Sequence, residues 1–287
     1  MPISSPVDGF RLAYDDHPGA GDPVVLLHGW PGDRHDLREV VARLRGRHRL
    51  VVPDLRGFGE SEGPADAPPQ AYGAEEQARS VLALVEELGL GPVVLAGYDV
   101  GSRTAQVAAR SRPDLVRALV VSPPVPGVGE RVLSPLAHRE YWYQAFHQLD
   151  LAERLIDGRR DAVHAYLEHF WSHWSGPDYT PDPAQLDRLA DAYARPGAFV
   201  ASISWYRAGA GTVARSLTER TPAPEDRVAV PTTVLWPEQD SLFPREWSDR
   251  VGQHYSDVEV RPVDGVGHFL PLEAPDAFVA AILERSS

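Results

Sequence analysis

The segment VVLAGYDVGSRTA, residues 93–105, runs from a continuous apolar stretch through a glycine-flanked turn into a stretch with helical spacing. An apolar run of this kind predicts a strand buried on both faces, so the segment predicts a strand, a sharp elbow and a helix. Gly97 and Gly101 flank Asp99 at the elbow, where larger neighbouring side chains would clash. The elbow places Asp99 at a helix N-terminus, where backbone N–H groups and the helix dipole favour negative charge. Asp99 is therefore either a simple helix cap or a reactive carboxylate.

Short apolar strands alternate with helical stretches on both sides of this elbow. The alternation predicts an α/β fold, with a mostly parallel central sheet and helices on both of its faces. The helix at 74–90 is the clearest, because apolar residues recur every three and four positions and the stretch ends at glycine. The predicted strands are 10–16 at an edge, 23–29, 49–55, 92–97, 116–124, 231–240 and 258–268, and the other core helices are 36–46, 102–111 and 275–286.

The hydrophobic pattern of the sequence changes between residues 128 and 225. Long helical stretches rich in aromatic residues, such as 140–156 and 161–175, replace the buried-strand pattern. A proline-rich connector at 218–231 then leads back to the α/β pattern. The sequence therefore predicts a core formed by residues 1–127 and 226–287, with an all-helical cap inserted at 128–225.

The composition excludes several classes of function. A formal net charge of −13 without a basic cluster argues against nucleic-acid binding, and the absence of cysteine excludes disulfides, thiolate metal sites and cysteine nucleophiles. No apolar run is long enough to span a bilayer, and the first residues lack the pattern of a leader, so a cytoplasmic protein is expected. His169 and His173 would share a helix face, but no third ligand accompanies them, so neither a metal nor a cofactor is expected.

Two further polar residues follow predicted strands. Asp240 ends the segment VLWPEQD, just past a buried strand, and His268 ends the segment VDGVGH after the next strand. Each residue alone fits an ordinary turn or surface position, and Glu238 is an alternative to Asp240 at a less favourable place. The chain order of Asp99, Asp240 and His268 nevertheless matches that of a nucleophile, an acid and a base on the carboxyl side of a parallel sheet.

A fourth element precedes the elbow in the sequence LLHGWPGD, residues 26–33. Pro31 predicts a tight turn, compatible with a cis peptide bond, that aims the backbone N–H of Trp30 toward Asp99. Together with the N–H of Val100, this group would form an oxyanion hole. The side chain of His28 is expected to brace the loop rather than to take part in chemistry.

These elements, in this order over residues 10–280, resemble the α/β-hydrolase superfamily, and Asp99 narrows the resemblance to its aspartate-nucleophile branch. That branch includes epoxide hydrolases, haloalkane dehalogenases and fluoroacetate dehalogenases. The resemblance implies the α/β-hydrolase fold and a two-step reaction without a cofactor. Asp99 would attack a carbon to form an alkyl-enzyme ester, and His268, oriented by Asp240, would activate the water that hydrolyses this ester.

The predicted cap resembles that of soluble bacterial epoxide hydrolases at two places. In that family two cap tyrosines hydrogen-bond the epoxide oxygen, and here Tyr143 lies in YWYQAFHQ and Tyr206 in SWYRAG. A phenol suits this role because it can donate to a developing alkoxide while remaining neutral. Tyr141 and Trp142 are close enough in sequence to compete for the first position. The resemblance thus implies hydrolysis of an epoxide to a vicinal diol.

Dehalogenases of the same branch remain an alternative, although two positions count against them. Val100 stands where many epoxide hydrolases and haloalkane dehalogenases have tryptophan, whose side chain holds halide in the dehalogenases. Fluoroacetate dehalogenases have arginines one and four residues after the nucleophile, and only Arg103 matches. Arg103 is expected instead to form a structural ion pair. A catalytically silent binder of a hydrophobic ligand is a third hypothesis.

The expected partners are a small epoxide and water, and the expected assembly is a monomer or a homodimer. The tryptophan-rich cap predicts an apolar or aromatic pocket wall, which would suit an aromatic or polyketide-like epoxide and a tailoring enzyme. The residues expected to contact the substrate are Trp30, Pro31, Trp142, Gln144 and Trp205, with Trp171 and Trp174 in the same wall.

Overall fold

The core is a seven-stranded sheet in the order β1-β3-β2-β4-β5-β6-β7, described here from a computed structural model that covers residues 1–286. The pair β1 and β3 is antiparallel and the other neighbouring pairs are parallel. The predicted α/β fold with a mostly parallel sheet is confirmed. The strands are β1 (Tyr14–His17), β2 (Gly19–Leu27), β3 (Gly46–Pro53), β4 (Val93–Gly97), β5 (Val116–Val121), β6 (Thr232–Pro237) and β7 (Val258–Val263).

The sheet is buried on both faces, as continuous apolar strands require. Alternate residues of β2 belong to different apolar clusters, with Val24 and Leu26 on one face and Val25 and Leu27 on the other. The first three helices are α1 (Arg38–Leu44), α2 (Ala74–Glu87) and α3 (Val100–Ser111).

A helical insert separates β5 from β6, where the sequence predicts the cap. Residues 140–156 do not form one long helix, because the backbone of Leu149 is extended (φ −93°, ψ 142°) and interrupts the helical path. The insert's helices are α4 (Pro135–Glu140), α5 (Trp142–Phe146), α6 (Asp150–Ile156), α7 (Arg160–Trp174), α8 (Pro183–Tyr193), α9 (Ala198–Arg207) and α10 (Thr212–Thr218).

After the insert the chain returns to the core, where β7 forms the sheet edge and is only half-buried, unlike the inner strands. Two helices, α11 (Leu270–Glu273) and α12 (Pro275–Arg285), follow it. None of the helices within residues 1–286 is long and apolar enough to cross a membrane.

The loops that follow β2, β4, β6 and β7 leave the same edge of the sheet, because these strands are parallel. They meet beneath the insert at the carboxyl edge of the sheet, where ligands bind in folds of this class.

Candidate active site

Asp99 occupies a strained elbow between β4 and α3. Its backbone has φ 50° and ψ −119°, outside the regions that side chains with a Cβ ordinarily adopt. A Cβ on Gly97 would lie 2.8 Å from the backbone of Gly101, and a Cβ on Gly101 would lie 2.3 Å from the carbonyl oxygen of Leu27. Both glycines are thus required by close backbone packing. The turn presents the Asp99 side chain, which is 8% exposed, at the carboxyl edge of the sheet.

The loop after β2 supplies a hydrogen-bond donor to Asp99. The peptide bond between Trp30 and Pro31 is cis, and the backbone N–H of Trp30 donates to Asp99 Oδ1 at 2.7 Å. Val100 is the first residue of α3, where helices leave N–H groups without intrahelical acceptors. His28 braces this loop, since its Nε2 accepts from the N–H of Leu55 at 3.0 Å. Asp99 Oδ1 is therefore held, and Oδ2 faces the other side of the site.

His268 and Asp240 lie together next to that second oxygen. The Nδ1 of His268 donates to Asp240 Oδ2 at 2.8 Å, and its Nε2 lies 3.4 Å from Asp99 Oδ2. The Nε2 atom has no hydrogen-bond partner within residues 1–286. Asp240 is itself fixed, because its Oδ1 accepts from the backbone N–H groups of Leu242 and Phe243 at 2.9 and 3.3 Å. The imidazole thus has a fixed orientation with one nitrogen open toward Asp99.

The same two carboxylates control the protonation of His268. Complete burial acts to lower its pKa, but the neighbouring Asp240 and Asp99 outweigh burial and raise the pKa to about 10. Loss of either negative charge would lower this pKa again. Any reaction that neutralises Asp99 therefore makes His268 a weaker base, which gives up its proton more readily.

Glu238, the alternative acid, lies elsewhere. Its side chain is exposed, and its Oε2 accepts from the backbone N–H of Gly265 at 2.8 Å. It braces the loop that precedes His268 and makes no ion pair with that residue within residues 1–286.

Aromatic rings from the insert cover Asp99. Trp30 lies parallel to Tyr143, with ring centroids 5.7 Å apart, and meets Tyr206 edge to face at 5.6 Å. The two tyrosines contact each other edge to face at 5.5 Å. Trp174 packs on Tyr143 at 5.2 Å and on His268 at 5.3 Å, so one ring joins the cap to the imidazole. The structure thus brings the two predicted tyrosines together around Trp30, whose backbone N–H donates to Asp99.

The tyrosine hydroxyls are kept neutral. Burial raises the pKa of Tyr143, and the negative charge of Asp99 raises it further. The pKa of Tyr206 is likewise raised, by burial and by its neighbours Tyr143 and Asp99. Tyr143 accepts from Gln144 Nε2 at 3.1 Å and shares a hydrogen bond with the hydroxyl of Tyr206, and within residues 1–286 neither phenol donates to the backbone. The hydroxyl of Tyr141, by contrast, already donates to the carbonyl of Leu242 at 2.7 Å.

A cavity of about 590 Å³ lies on the outer side of the tyrosine pair. Its lining is mostly apolar and includes Trp142, Gln144 and Tyr206. Trp142 is 42% exposed and stacks on Phe170 rather than on Trp30. Tyr206 thus belongs both to this outer cavity and to the cluster over Asp99.

The other predicted contact residues have packing roles in the structure. Pro31 accepts through its carbonyl oxygen from Trp171 Nε1 at 2.9 Å. Trp205 is buried in the insert and neither lines the 590 Å³ cavity nor makes a ring contact with Trp30 within residues 1–286. A direct contact between Trp205 and a substrate is therefore not supported by the geometry.

Glu273, a residue that sequence reasoning missed, holds the His268 loop against the insert. Its Oε2 accepts from the N–H groups of Gly267 and Gly176 at 2.8 Å each, and its Oε1 accepts from the N–H of Phe269 at 3.0 Å. The N–H of His268 also donates to the carbonyl of Trp174 at 2.7 Å. One carboxylate therefore fixes the residues on both sides of His268 and the end of α7.

A second polar network, also missed, ties α8 to the loop after β2. Asp36 accepts from the hydroxyl of Tyr98 at 2.7 Å and from Gln185 Nε2 at 2.8 Å. Arg188 forms an ion pair with Asp33, with Nη2 and Oδ1 at 3.0 Å. Burial and the neighbouring Asp33 raise the pKa of Asp36 to about 8. Residues of the insert thus anchor the loop that carries Trp30.

The predicted histidine pair does not form a metal site. His169 and His173 stack at 5.7 Å on α7, and His173 Nε2 is 2.6 Å from Glu140 Oε2. Within residues 1–286, no group of three or more histidine or acidic side chains is arranged to hold a metal ion.

The chain is similar to known proteins over almost its whole length. A family model described as alpha/beta hydrolase fold matches residues 22–275. The soluble epoxide hydrolase of Corynebacterium sp. (strain C12) is 30% identical, over 97% of this chain and 94% of its own. Haloalkane dehalogenase 2 of Mycobacterium bovis is 28% identical, over 96% and 91%. The structure of the epoxide hydrolase CorEH matches with a TM-score of 0.82 at 25% identity, covering 97% of this chain and 95% of that one.

Proposed function

Because the chain belongs to the alpha/beta hydrolase superfamily, we propose that it is an epoxide hydrolase that forms a vicinal diol through a covalent ester on Asp99. The observation that carries the proposal is the pair of buried, neutral phenols, Tyr143 and Tyr206, packed around Trp30 beside this carboxylate. Opening an epoxide develops an alkoxide, which needs a donor of this kind.

The first step forms the ester. The attacking atom is Asp99 Oδ2, because Oδ1 is held by the Trp30 N–H. It attacks one epoxide carbon from the side opposite the carbon–oxygen bond that breaks. The bond breaks, and the released oxygen takes a proton from a phenol of Tyr143 or Tyr206. Neutralisation of Asp99 lowers the pKa of His268, and the proton that His268 gives up restores the phenol. The products are a hydroxyalkyl ester and a neutral imidazole.

The second step hydrolyses the ester. Neutral His268 takes a proton from water through Nε2, and the hydroxide attacks the carboxyl carbon of Asp99. The N–H groups of Trp30 and Val100 stabilise the resulting oxyanion. Collapse of the intermediate expels the product as an alkoxide, which takes the proton of the new Asp99 carboxyl group and leaves as the diol. The carboxylate of Asp99 then faces a protonated His268 again, so atoms and charges balance over the cycle.

The 590 Å³ cavity, which reaches Tyr206 but is not lined by Asp99 or His268, would hold the apolar substituent of an epoxide. Its lining is mostly apolar, and the basic side chains in it are His138 and Arg207. Arg207 donates to the carbonyl of His147 at 2.9 Å and is thus partly committed to the fold. An aromatic or extended apolar epoxide fits this environment best.

A dehalogenase is the second candidate, since a relative carries that name. Val100 offers no indole side chain for a halide, and the structure directs Arg103 toward Glu219 rather than toward Asp99. The test is incubation of the purified protein with styrene oxide, fluoroacetate and a chloroalkane, with quantification of diol and halide. Diol formation with no halide release is expected; halide release without diol formation would replace the proposal with a dehalogenase.

The reaction should show opposite pH limits for its two steps. Alkylation consumes the proton of His268, whose pKa is raised to about 10, so its rate should fall as the pH rises through this region. Hydrolysis needs the neutral imidazole of the ester form, so its rate should fall as the pH decreases. Single-turnover rapid-quench experiments between pH 6 and pH 11 separate the steps.

An Asp240→Asn variant tests the source of this pH dependence. Asparagine keeps the Oδ1 acceptor for Leu242 and Phe243 but removes the charge beside His268. The high-pH limit of alkylation should move to lower pH, and hydrolysis should slow by about 10²- to 10⁴-fold because the imidazole loses its orientation. An unchanged pH limit would show that Asp240 does not control His268.

Glu273 should act as a positioning residue for hydrolysis. Glu273→Gln cannot accept all three backbone N–H groups, so we expect the ester to hydrolyse about tenfold more slowly, while alkylation changes little. The matched control is Glu238→Gln, which removes a single acceptor from the same loop. The readout is the fraction of enzyme present as ester at steady state. Equal slowing of both steps, with a lower Tm, would indicate a merely structural role.

A further inference from the structure

A second cavity, of about 410 Å³, lies where the insert rejoins the core. It is lined by α3, by α10, by the connector after α10 and by the segment around His254. Four arginines converge there in a chain whose formal net charge is −13. These arginines are Arg103, Arg110, Arg215 and Arg220.

Arg103 is the buried member of this group. It lies four residues after Asp99 on α3 and is 7% exposed. Its Nε has no hydrogen-bond partner within residues 1–286, and its ion-pair contact is a long one, from Nη1 to Glu219 Oε1 at 3.9 Å. A buried guanidinium has five donors and is unfavourable when they lack acceptors. Burial lowers the pKa of Arg103 against the opposing field of Glu219, and Arg215 lowers it further.

Carboxylates in the cavity are partly committed to other groups. Glu75 is paired with Arg215, with Oε1 and Nη2 at 2.6 Å. Glu219 Oε2 accepts from the N–H of Gly127 at 2.7 Å. Asp226 also lines the cavity and is exposed. Glu219 Oε1 thus remains for the buried guanidinium of Arg103, at 3.9 Å from its Nη1.

Two exposed arginines keep free donors. The side chain of Arg110 makes no hydrogen bond or ion pair within residues 1–286, and the side chain of Arg220 donates only to the backbone carbonyl of Glu219, at 2.9 Å. The positive charges in the cavity also act on His254. Burial lowers the pKa of His254 and Glu219 opposes this shift, but Arg103 and Arg110 lower the pKa further. The cavity is therefore positive despite the acidic chain.

We propose that this cavity binds a small oxyanion with two or more negative charges, held by Arg103 together with Arg110 and Arg220. Guanidinium groups bind phosphate and carboxylate oxygens through paired, charge-assisted hydrogen bonds, which matches the unused donors. Because the lining comes from α3, α10 and their connector, the bound anion would join the insert to the helix that begins after Asp99. The site is independent of the proposed reaction.

Calorimetric titration and thermal unfolding with inorganic phosphate, at constant ionic strength, test this site. We expect saturable binding with a Kd of about 1 mM or lower and a Tm that rises with phosphate concentration. A parallel titration with citrate distinguishes a phosphate site from a polycarboxylate site, and saturation by either anion supports the proposal.

The variants show where the anion binds. Arg110→Gln combined with Arg220→Gln removes exposed donors without disturbing the buried Arg103, and should weaken binding by at least about tenfold. Arg47→Gln is the matched control, because Arg47 is exposed and does not line the cavity. Absence of saturable binding to both anions, or equal binding in the double variant and the wild type, would overturn the proposal.

Discussion

A His268→Gln variant should accumulate as a covalent ester when it is exposed to an epoxide. The imidazole is needed to take a proton from water, and its removal should slow hydrolysis by about 10³-fold. Alkylation should persist at a lower rate than in the wild type, because Asp99, the Trp30 N–H and both tyrosines remain in place, while the phenol must recover its proton from water instead of from His268. Intact-mass and peptide mass spectrometry should find Asp99 carrying the full mass of styrene oxide, since ring opening expels no atoms.

The controls separate the possible failures of this experiment. Asp99→Asn should give no adduct and no turnover, because the amide is a poor nucleophile and occupies the same volume. Fluoroacetate should give no adduct with His268→Gln; an adduct formed with loss of fluoride would identify a dehalogenase. Normal turnover by His268→Gln would contradict the assigned role of the imidazole.

The elbow and its partners were predictable because their requirements are local. Gly97 and Gly101 are demanded by backbone packing within a few residues of Asp99, and Asp240 and His268 follow strands that end at one edge of the sheet. The apolar pattern was enough to predict the strands themselves, but not the order in which they pair.

The supporting residues depend on contacts that no local pattern shows. Glu273 is a single acidic residue in a short helix, and its three acceptor contacts exist only because the end of α7 approaches the His268 loop. Arg103 forms the expected ion pair, with Glu219 at 3.9 Å, but its buried and unpaired Nε could not be predicted from the sequence. The length of helix in the insert was also overestimated, since the exposed Leu149 has an extended backbone that interrupts a stretch with helical apolar spacing.

Among substitutions that keep Asp99, the paired substitution Tyr143→Phe with Tyr206→Phe should slow alkylation the most. Each phenol is buried, and the two rings lie 5.5 Å apart, so either hydroxyl can serve when the other is missing. Single variants should therefore lose about tenfold in alkylation rate and the double variant about 10³-fold, because only the double variant leaves the alkoxide without a donor. Hydrolysis of a preformed ester should change much less, since the oxyanion is stabilised by Trp30 and Val100.

The matched control for this pair is Tyr141→Phe, which removes a buried hydroxyl from the same part of the insert. That hydroxyl donates to the carbonyl of Leu242, so its loss should lower Tm while alkylation stays within about threefold of the wild type. Rapid-quench measurement of ester formation and decay compares all four variants. Equal slowing of both steps in the double variant would mean that the tyrosines only pack the insert against Trp30, whereas a selective loss of alkylation would identify them as the donors that open the ring.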